Sequence, residues 1–157
     1  MTRPDLAAPP AELLFHHARS IALPQPMSAL EAWNRLMQQP LPGMALAFRL
    51  RDAISARFGV ARIGGFSGQP ARQPQIGERL DFFLIERIEP EMLTLSVRDR
   101  HLDVLTCVTT HAQRLTITSS VKVHNLFGRA YMIPVAPAHR LIVMLMMHRL
   151  KRALAGP

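Results

Sequence analysis

Polar side chains with different chemistries crowd the predicted junction between the last strand and the last helix of the chain. They are His124, Asn125, Arg129, Tyr131 and His139. Junctions held by a rigid scaffold commonly carry binding residues, and a guanidinium can grip a carboxylate or phosphate through two parallel hydrogen bonds. These five residues are therefore the predicted ligand-binding site. The alternative, which the sequence leaves open, is a polar network that ties the helix to the sheet.

A second candidate site lies on a predicted strand. His101 and Asp103 stand two positions apart, so their side chains point the same way and can orient one another for general acid or base catalysis. His139 is the third candidate for a catalytic role. A solvated strand face gives the same spacing, so the pattern alone does not decide between catalysis and structure.

Glu86 interrupts an otherwise apolar strand face. A carboxyl group buried there would have a raised pKa unless a cation such as Arg19 paired with it. A β-bulge that turns Glu86 outward is the alternative, which we favour. The apolar residues assigned to this face are Leu80, Phe82, Leu84 and Ile88.

No motif in the sequence indicates a metal or a cofactor. None of the seven histidines belongs to a helical pair with an intervening glutamate, and the loop at residues 65–69 lacks the residue pattern of a nucleophile elbow or a phosphate loop. Cys107 is the single cysteine, which excludes an intramolecular disulfide, and we expect it to be a small, semi-buried hydrophobic residue of a strand. We expect neither a metal site nor a bound cofactor.

Periodicity predicts one strand and two helices in the first half of the chain. The strand covers residues 13–23. Ser28 and Glu31 form a capping box that begins a helix running to about residue 39. A second helix spans about residues 43–58, because four apolar residues repeat at helical spacing and predict an inner face. These are Ala47, Leu50, Ile54 and Phe58.

A period of two from residue 79 onward predicts a meander of four antiparallel strands that ends at residue 124. Pro137 then fits the first turn of a final helix that reaches about Leu154. The apolar segment 141–147 of that helix is too short to cross a bilayer, so we expect it to pack against the sheet. No segment is expected to span a membrane.

The bulk composition favours a single soluble, cytoplasmic domain. Of the 157 residues 48% are hydrophobic, enough for a core, and residues 1–12 lack the features of a secretory signal. We expect a flexible segment over residues 1–12 and one domain over residues 13–157. The net charge of +8 favours acidic partners, but the arginines are scattered rather than placed beside stacking aromatics, so nucleic acid is not the expected partner.

The order of elements is that of an α+β helix-grip domain, in which a curved antiparallel sheet wraps around a long terminal helix. Three segments resemble an uncharacterised bacterial family of domains of unknown function: residues 50–52 with Phe58 and Gly59, residues 99–103, and residues 121–139. The resemblance covers about Phe15 to Leu150. The chain departs from the family pattern at Ala138, where an aromatic residue is usual, and at Val104-Leu105, where the family has Phe-Arg.

The resemblance implies a START-like helix-grip fold and an occasional partnership with a Rossmann NAD(P)-binding domain. An apolar sheet face with few polar groups, here including Thr106 and Ser119, is typical of ligand cavities. We therefore expect a small apolar or amphipathic molecule to bind in a cavity between the sheet and the last helix. The alternatives are an enzyme that uses His and Asp acid-base chemistry on such a ligand, and an accessory module that docks on a dehydrogenase-like protein.

Overall fold

One antiparallel sheet of six strands is the base of the fold. The computed structural model describes residues 3–39, 41–60 and 62–156. The sheet order is β1-β6-β5-β4-β3-β2, so a meander runs from β2 to β6 and β1 pairs with its last strand. The predicted α+β class is confirmed. The strands are β1 Phe15–Ala22, β2 Arg79–Leu80, β3 Phe83–Glu89, β4 Met92–Arg98, β5 Leu102–His111 and β6 Arg114–Val123.

Three α-helices and a short 3-10 helix accompany the sheet. The Ser28 hydroxyl caps α1 by accepting a hydrogen bond from the Glu31 amide at 3.1 Å. Only this half of the predicted capping box forms, because the Glu31 carboxylate binds Arg35 at 2.7 Å. The 3-10 helix is Pro10–Glu12, and the α-helices are α1 Ala29–Met37, α2 Met44–Ala56 and α3 Leu126–Leu154.

The first strand of the predicted meander is divided into β2 and β3. Asp81 adopts a φ of 53°, and the chain turns there after two strand residues. The side chains that reach the core are Phe83 and Ile85, whereas Phe82 and Leu84 are half-buried. The core face predicted for this strand is therefore wrong by one position.

A β-bulge at Glu86 restores the apolar alternation further along β3. The register shifts between Ile85 and Arg87, so Glu86 is the additional residue. The shift brings Ile88 to the same face as Ile85, and both lie opposite leucines of β4. The bulge favoured from the sequence at Glu86 is thus confirmed.

The sheet face covered by α1 and α3 holds the main core. Burying one such apolar side chain contributes about 1.5–3 kcal/mol, so this contact is the principal source of stability. A second, smaller group of buried residues lies against the first half of α3, namely Phe15, Leu102, Val121 and Met132. The main core includes Leu93, Leu95, Val108, Leu115 and Ile117 from the strands and Trp33, Leu36, Val143, Met146, Met147 and Leu150 from the helices.

The segment ahead of β1 lies across the opposite face of the sheet. The Ala7 amide donates a hydrogen bond to the Ser120 hydroxyl at 2.9 Å, and the Asp5 carboxylate accepts one from the Thr94 hydroxyl at 2.7 Å. Cys107, predicted to be half-buried, is fully buried beneath this segment, and burial raises the pKa of its thiol. Residues 1 and 2 of the segment predicted to be flexible lie outside the described residues, and residues 3–12 contribute these contacts.

The helix α3 is longer than the sequence predicts. Pro134 and Pro137 lie inside it, so the predicted start at Pro137 is wrong. Each proline removes one helical hydrogen bond, which leaves the carbonyls of Ala130 and Ile133 without their usual donors. Both of these residues are exposed, so water can bind the two carbonyl groups.

The length of α3 also changes an expectation about membranes. An 18-residue window of this helix has a mean hydropathy of 1.4, so α3 is long and apolar enough to cross a bilayer, and 22% of that window is buried. The expectation that no segment reaches such a length is wrong, because the two prolines do not end the helix. Core helices of soluble proteins pass the same test, and the inner face of α3 packs against the sheet.

The helix α2 leaves its apolar stripe in solvent. Leu46, Leu50 and Ile54 of α2, and Phe58 two residues after its end, repeat every four residues and are 69%, 60%, 54% and 52% exposed. The inner face predicted for this helix, which also included the exposed Ala47, is therefore wrong. Spacing identifies an apolar stripe on a helix, but the side chains that anchor the helix decide which way the stripe points.

A matched pair of substitutions tests this orientation of α2. Leu36→Ala should lower the free energy of unfolding by about 2–5 kcal/mol, because Leu36 is 3% exposed in the main core. Leu50→Ala should change it by less than about 0.5 kcal/mol. Urea denaturation measures both, and a comparable loss in the two variants would contradict the exposed position of the stripe.

Candidate functional site

A hydrogen-bonded junction fixes the N-terminus of α3 to the chain just ahead of β5. The side-chain oxygen of Asn125 accepts a hydrogen bond from the Gly128 amide at 2.9 Å and so caps the helix. The His124 amide donates to the His101 carbonyl at 2.8 Å. Glycine is required at position 128, since a Cβ there would lie 2.5 Å from that same carbonyl oxygen.

The His101 ring belongs to this junction. His101 is 8% exposed, and its ring centroid lies 4.5 Å from that of Phe127. The Arg100 guanidinium can only donate, so Nε2 of His101 accepts its hydrogen bond at 3.1 Å. Nδ1 of His101 lies 2.9 Å from the side-chain nitrogen of Asn125 and 3.3 Å from its side-chain oxygen. Both ring nitrogens therefore have structural partners.

Asp103 contacts His124 rather than His101. One carboxylate oxygen lies 3.2 Å from Nε2 of His124, and the other lies 3.4 Å from the Arg98 guanidinium. The pairing of His101 with Asp103 predicted from the sequence is wrong, because His101 precedes the first residue of β5 and escapes the alternation of that strand.

Arg98 extends this ionic network to Glu86 at the bulge of β3, at a distance of 2.8 Å. Burial alone would raise the pKa of the Glu86 carboxyl, but the hydrogen bonds and positive charge of Arg98 lower it below its usual value. The cation beside Glu86 is thus Arg98, not Arg19. The outcome is an ionised carboxylate in a surface ion pair and not an acid held in its protonated form.

Tyr131 contacts α2. Its hydroxyl accepts a hydrogen bond from Nε of Arg51 at 2.8 Å, and the Arg51 guanidinium lies 5.6 Å from the ring centroid. The neighbouring Asp52 carboxylate accepts hydrogen bonds from the amides of Ile63 and Gly64 at 3.0 and 2.9 Å. Burial alone would raise the pKa of Asp52, but these amides and Arg51 lower it. Arg51 and Asp52 therefore hold α2 and the loop after it beside α3.

A groove of about 530 Å³ lies between the start of β1 and the first half of α3. Among the described residues that line it, Arg129 is the one with a charged side chain. The Arg129 side chain is exposed and has no ion pair or hydrogen bond to any residue within 3–39, 41–60 and 62–156. The remaining lining is apolar and consists of Leu14, Phe15, Ala130, Met132, Ile133 and Ala136.

Polar side chains from three neighbouring strands form a row beyond this groove. His17, Ser119 and Thr106 lie in register across β1, β6 and β5, one step along the sheet from Phe15 and Val121. Nδ1 of His17 and Oγ of Ser119 are buried, and neither atom has a hydrogen-bond partner in the described part of the chain. An unsatisfied buried polar group costs about 1–3 kcal/mol, so a polar ligand group reaching this row would be stabilised there.

His139 of α3 lies close to this polar row. Its Nδ1 is also buried with no hydrogen-bond partner among the residues that the structure describes. The His139 ring meets that of Phe15 edge-on at 5.7 Å, and Phe15 lies 6.3 Å from the ring of His17. Burial, and after it the charge of His17, lowers the pKa of His139 to about 4. His139 is therefore neutral at neutral pH and offers hydrogen bonds without a charge.

The five residues predicted as a ligand-binding set do not converge. A helical rise of 1.5 Å per residue places Asn125 about 21 Å and Arg129 about 15 Å from His139 along α3. The side chains of His124 and Tyr131 are engaged elsewhere, by Asp103 and Arg51. The structure brings Arg129 to the groove and His139 to the polar row, and the binding roles of all five stay predictions.

Phe15 and His17 are not among the site residues that the sequence predicts. Their signal was present in β1, because His17 occupies a position that alternates with the apolar Phe15 and Ile21. A histidine on the inward face of an edge strand is a polar group that the core must accommodate. No group of three His, Cys, Asp or Glu residues able to hold a metal occurs in the described ranges of the chain.

One protein family matches the segment of the chain that forms the groove and the polar row. A family model described as "Protein of unknown function (DUF2867)" matches residues 10–146. The chain belongs to this family. The matched range contains every residue that lines the groove, from Leu14 to Ala136, and also His139. No curated protein and no solved structure matches the chain.

The lowered pKa of His139 makes the stability of this DUF2867 domain depend on pH. The histidine takes up a proton near pH 6.5 in the unfolded chain but only near pH 4 in the folded protein. The free energy of unfolding should therefore fall as the pH drops through this window, by up to about 3 kcal/mol from this residue. The contribution is constant above the window, where His139 is neutral in both states.

His139→Leu should flatten this pH dependence, as measured by urea denaturation at several pH values between 4 and 7. His148→Gln removes an exposed histidine from the same helix and is the matched control, which should keep the wild-type slope. A wild-type slope in His139→Leu would contradict the buried, neutral state of this ring.

Proposed function

We propose that this domain binds a small amphipathic anion in the groove between β1 and α3. The observation that carries the proposal is the exposed guanidinium of Arg129, which has no partner among the described residues, at a groove that is otherwise apolar. Ligand sites are usually apolar, with a few polar groups that fix the orientation of the ligand. A carboxylate or phosphate would bind Arg129 through two hydrogen bonds, and the apolar part would lie along the groove.

The buried polar atoms behind Phe15 favour a ligand with a second polar group. Phe15 lines the groove and also contacts the rings of His17 and His139. Phe15 therefore lies between the groove and the polar row that His17 begins. A ligand extending about 15 Å from Arg129 along α3 would reach this row. The unsatisfied state of these atoms supports such a ligand, because its hydrogen bonds would offset their desolvation.

The proposed site is confined to the first half of the interface between sheet and helix. The second half is filled by Val143, Met146, Met147 and Leu150 packed against the strands. We infer a helix-grip architecture for the domain. What supports it is the placement of β1 beside β6 together with a terminal helix that lies across the sheet.

Another groove, of about 410 Å³, lies between α1 and the end of α3. It suits an apolar ligand less well, because its wall carries the Glu31 and Arg35 ion pair and the side-chain amides of Asn34 and Gln38. The two charges at this groove already satisfy one another. Arg129, in contrast, has no such partner in the described part of the chain, and this is the reason for preferring the groove beside β1.

One contact favours the enzyme alternative. The Asp103 carboxylate 3.2 Å from Nε2 of His124 is able to orient the imidazole as a general base. The same carboxylate also binds Arg98, as a purely structural ion network would require. Turnover of a bound molecule that is lost in His124→Asn while binding is retained would establish the catalytic role. Turnover that survives His124→Asn would rule out this histidine as the base.

Titration with decanoate and with its uncharged analogue decanol tests the proposed site. Isothermal titration calorimetry should show that Arg129→Gln weakens decanoate binding by about tenfold or more, since a hydrogen bond to a charged group is lost. Binding of decanol should be unchanged, because decanol has no charge for Arg129 to pair with. Ala136→Trp should weaken both ligands by filling the groove.

Arg152→Gln, on an exposed position in the last turn of the same helix, is the matched control and should bind decanoate as the wild type does. Equal decanoate affinity in Arg129→Gln and the wild type would contradict the proposal. Native mass spectrometry of protein purified from its own host would then give the mass of any natural ligand retained in the groove.

A further inference from the structure

The outer face of α3 is apolar over most of its length. At 100° per residue, eight exposed apolar positions fall within one sector of about 140° of the helix. No charged side chain of α3 lies in this sector before His148. Exposed apolar surfaces of this extent commonly mark interaction sites. The eight are Leu126, Ala130, Ile133, Pro134, Pro137, Ala138, Leu141 and Leu145, of which Leu126 and Ile133 are 83% and 75% exposed.

The exposed stripe of α2 adjoins this face of α3. Phe58, the last residue of the stripe, has its ring centroid 5.0 Å from that of Phe127 on α3. Arg51 and Tyr131 join the same two helices by a hydrogen bond of 2.8 Å. The residues Leu46, Leu50 and Ile54 continue the apolar surface along α2. We refer to these exposed residues of α2 and α3 together as the helical face.

The arginine and lysine side chains of α3 that border the helical face are not balanced by any acidic residue of this helix. This helix contains five arginine or lysine residues and no aspartate or glutamate. All five are exposed, two beside the apolar sector and three in the last two turns. They are Arg129, Arg140, Arg149, Lys151 and Arg152.

We propose that the helical face docks on an anionic membrane surface, with α3 lying parallel to the bilayer. The inner face of α3 packs against the sheet, so the helix is oriented to rest on lipid and not to cross it. An apolar face bordered by lysine and arginine is the composition of helices that bind at membrane interfaces. Anionic headgroups would meet the five cations, and the exposed leucine and isoleucine side chains would enter the acyl boundary.

Charge complementarity favours lipid over a second copy of this chain. A symmetric contact through the helical face would bring the five cations of one α3 against those of another, which is electrostatically unfavourable. An anionic bilayer supplies negative charge and an apolar layer together, over an area as wide as two helices.

The groove of the proposed function opens at the edge of the helical face, because Ala130 and Ile133 belong to both. Membrane docking does not depend on ligand binding in that groove. The test therefore uses vesicles without any added ligand and leaves the residues of the groove unchanged.

Co-sedimentation with phosphatidylcholine vesicles, with and without phosphatidylglycerol, tests the proposal. The full chain should sediment with the anionic vesicles and much less with the neutral ones. Leu141→Ser with Leu145→Ser should weaken binding by about tenfold or more through loss of apolar contacts, and Lys151→Gln with Arg152→Gln by about tenfold or more through loss of charge. All four positions are exposed, so unfolding midpoints in urea should stay at the wild-type value.

Arg62→Gln with Arg72→Gln removes the same number of positive charges from exposed positions outside α3 and is the matched control, which should bind as the wild type does. Absence of binding to anionic vesicles, or an equal loss in this control, would overturn the proposal. Light scattering that shows a dimer dissociated by the Leu141→Ser and Leu145→Ser pair would overturn it in favour of self-association.

Discussion

The packing of one face of α3 against the sheet is the interaction on which the rest of the structure depends. The helix starts where Asn125 caps it beside His101, and the close approach of Gly128 to the His101 carbonyl fixes how near it lies to β5. Its far half is then held by methionine and leucine side chains in the main core. A helix of 29 residues fixed at both ends in this way has only one side to bury, so its other side stays in solvent.

The interface between α3 and the sheet is packed along the second half of the helix and borders a groove along the first half. Beyond Val143 the interface between α3 and the sheet is occupied, whereas beside Phe15 a groove lies open between β1 and α3 and is lined by the exposed Arg129. The polar row lies between these regions, and its buried atoms that lack a hydrogen-bond partner among the described residues cost stability. Natural proteins often retain such a cost where a ligand removes it. The neutral state of His139 suits this place, because a charged imidazole there would lack a counterion.

Much of the fold was predictable because it depends on local pattern. The strands β4, β5 and β6 follow their alternation, Ser28 caps α1, and the bulge accommodates Glu86. The start of α3 was not predictable, because Pro137 is also a good first residue of a helix and only tertiary packing carries the helix through it. The orientation of α2 depends on long-range anchors such as Arg51 to Tyr131, which spacing does not encode. The candidate site was missed in part for the same reason: neighbours in sequence at residues 124–131 point to different partners, while Phe15 and His139 meet across the fold.

Hydroxyl-radical footprinting of the purified protein tests the central claim most directly. If α3 packs as one continuous helix with its outer face uncovered, oxidation should be strong at Ile133, Leu141 and Leu145 and weak at Met146 and Met147, although methionine is intrinsically the more reactive side chain. Strong labelling of the two methionines together with protection of the outer leucines would contradict this account of the helix and of everything that it positions.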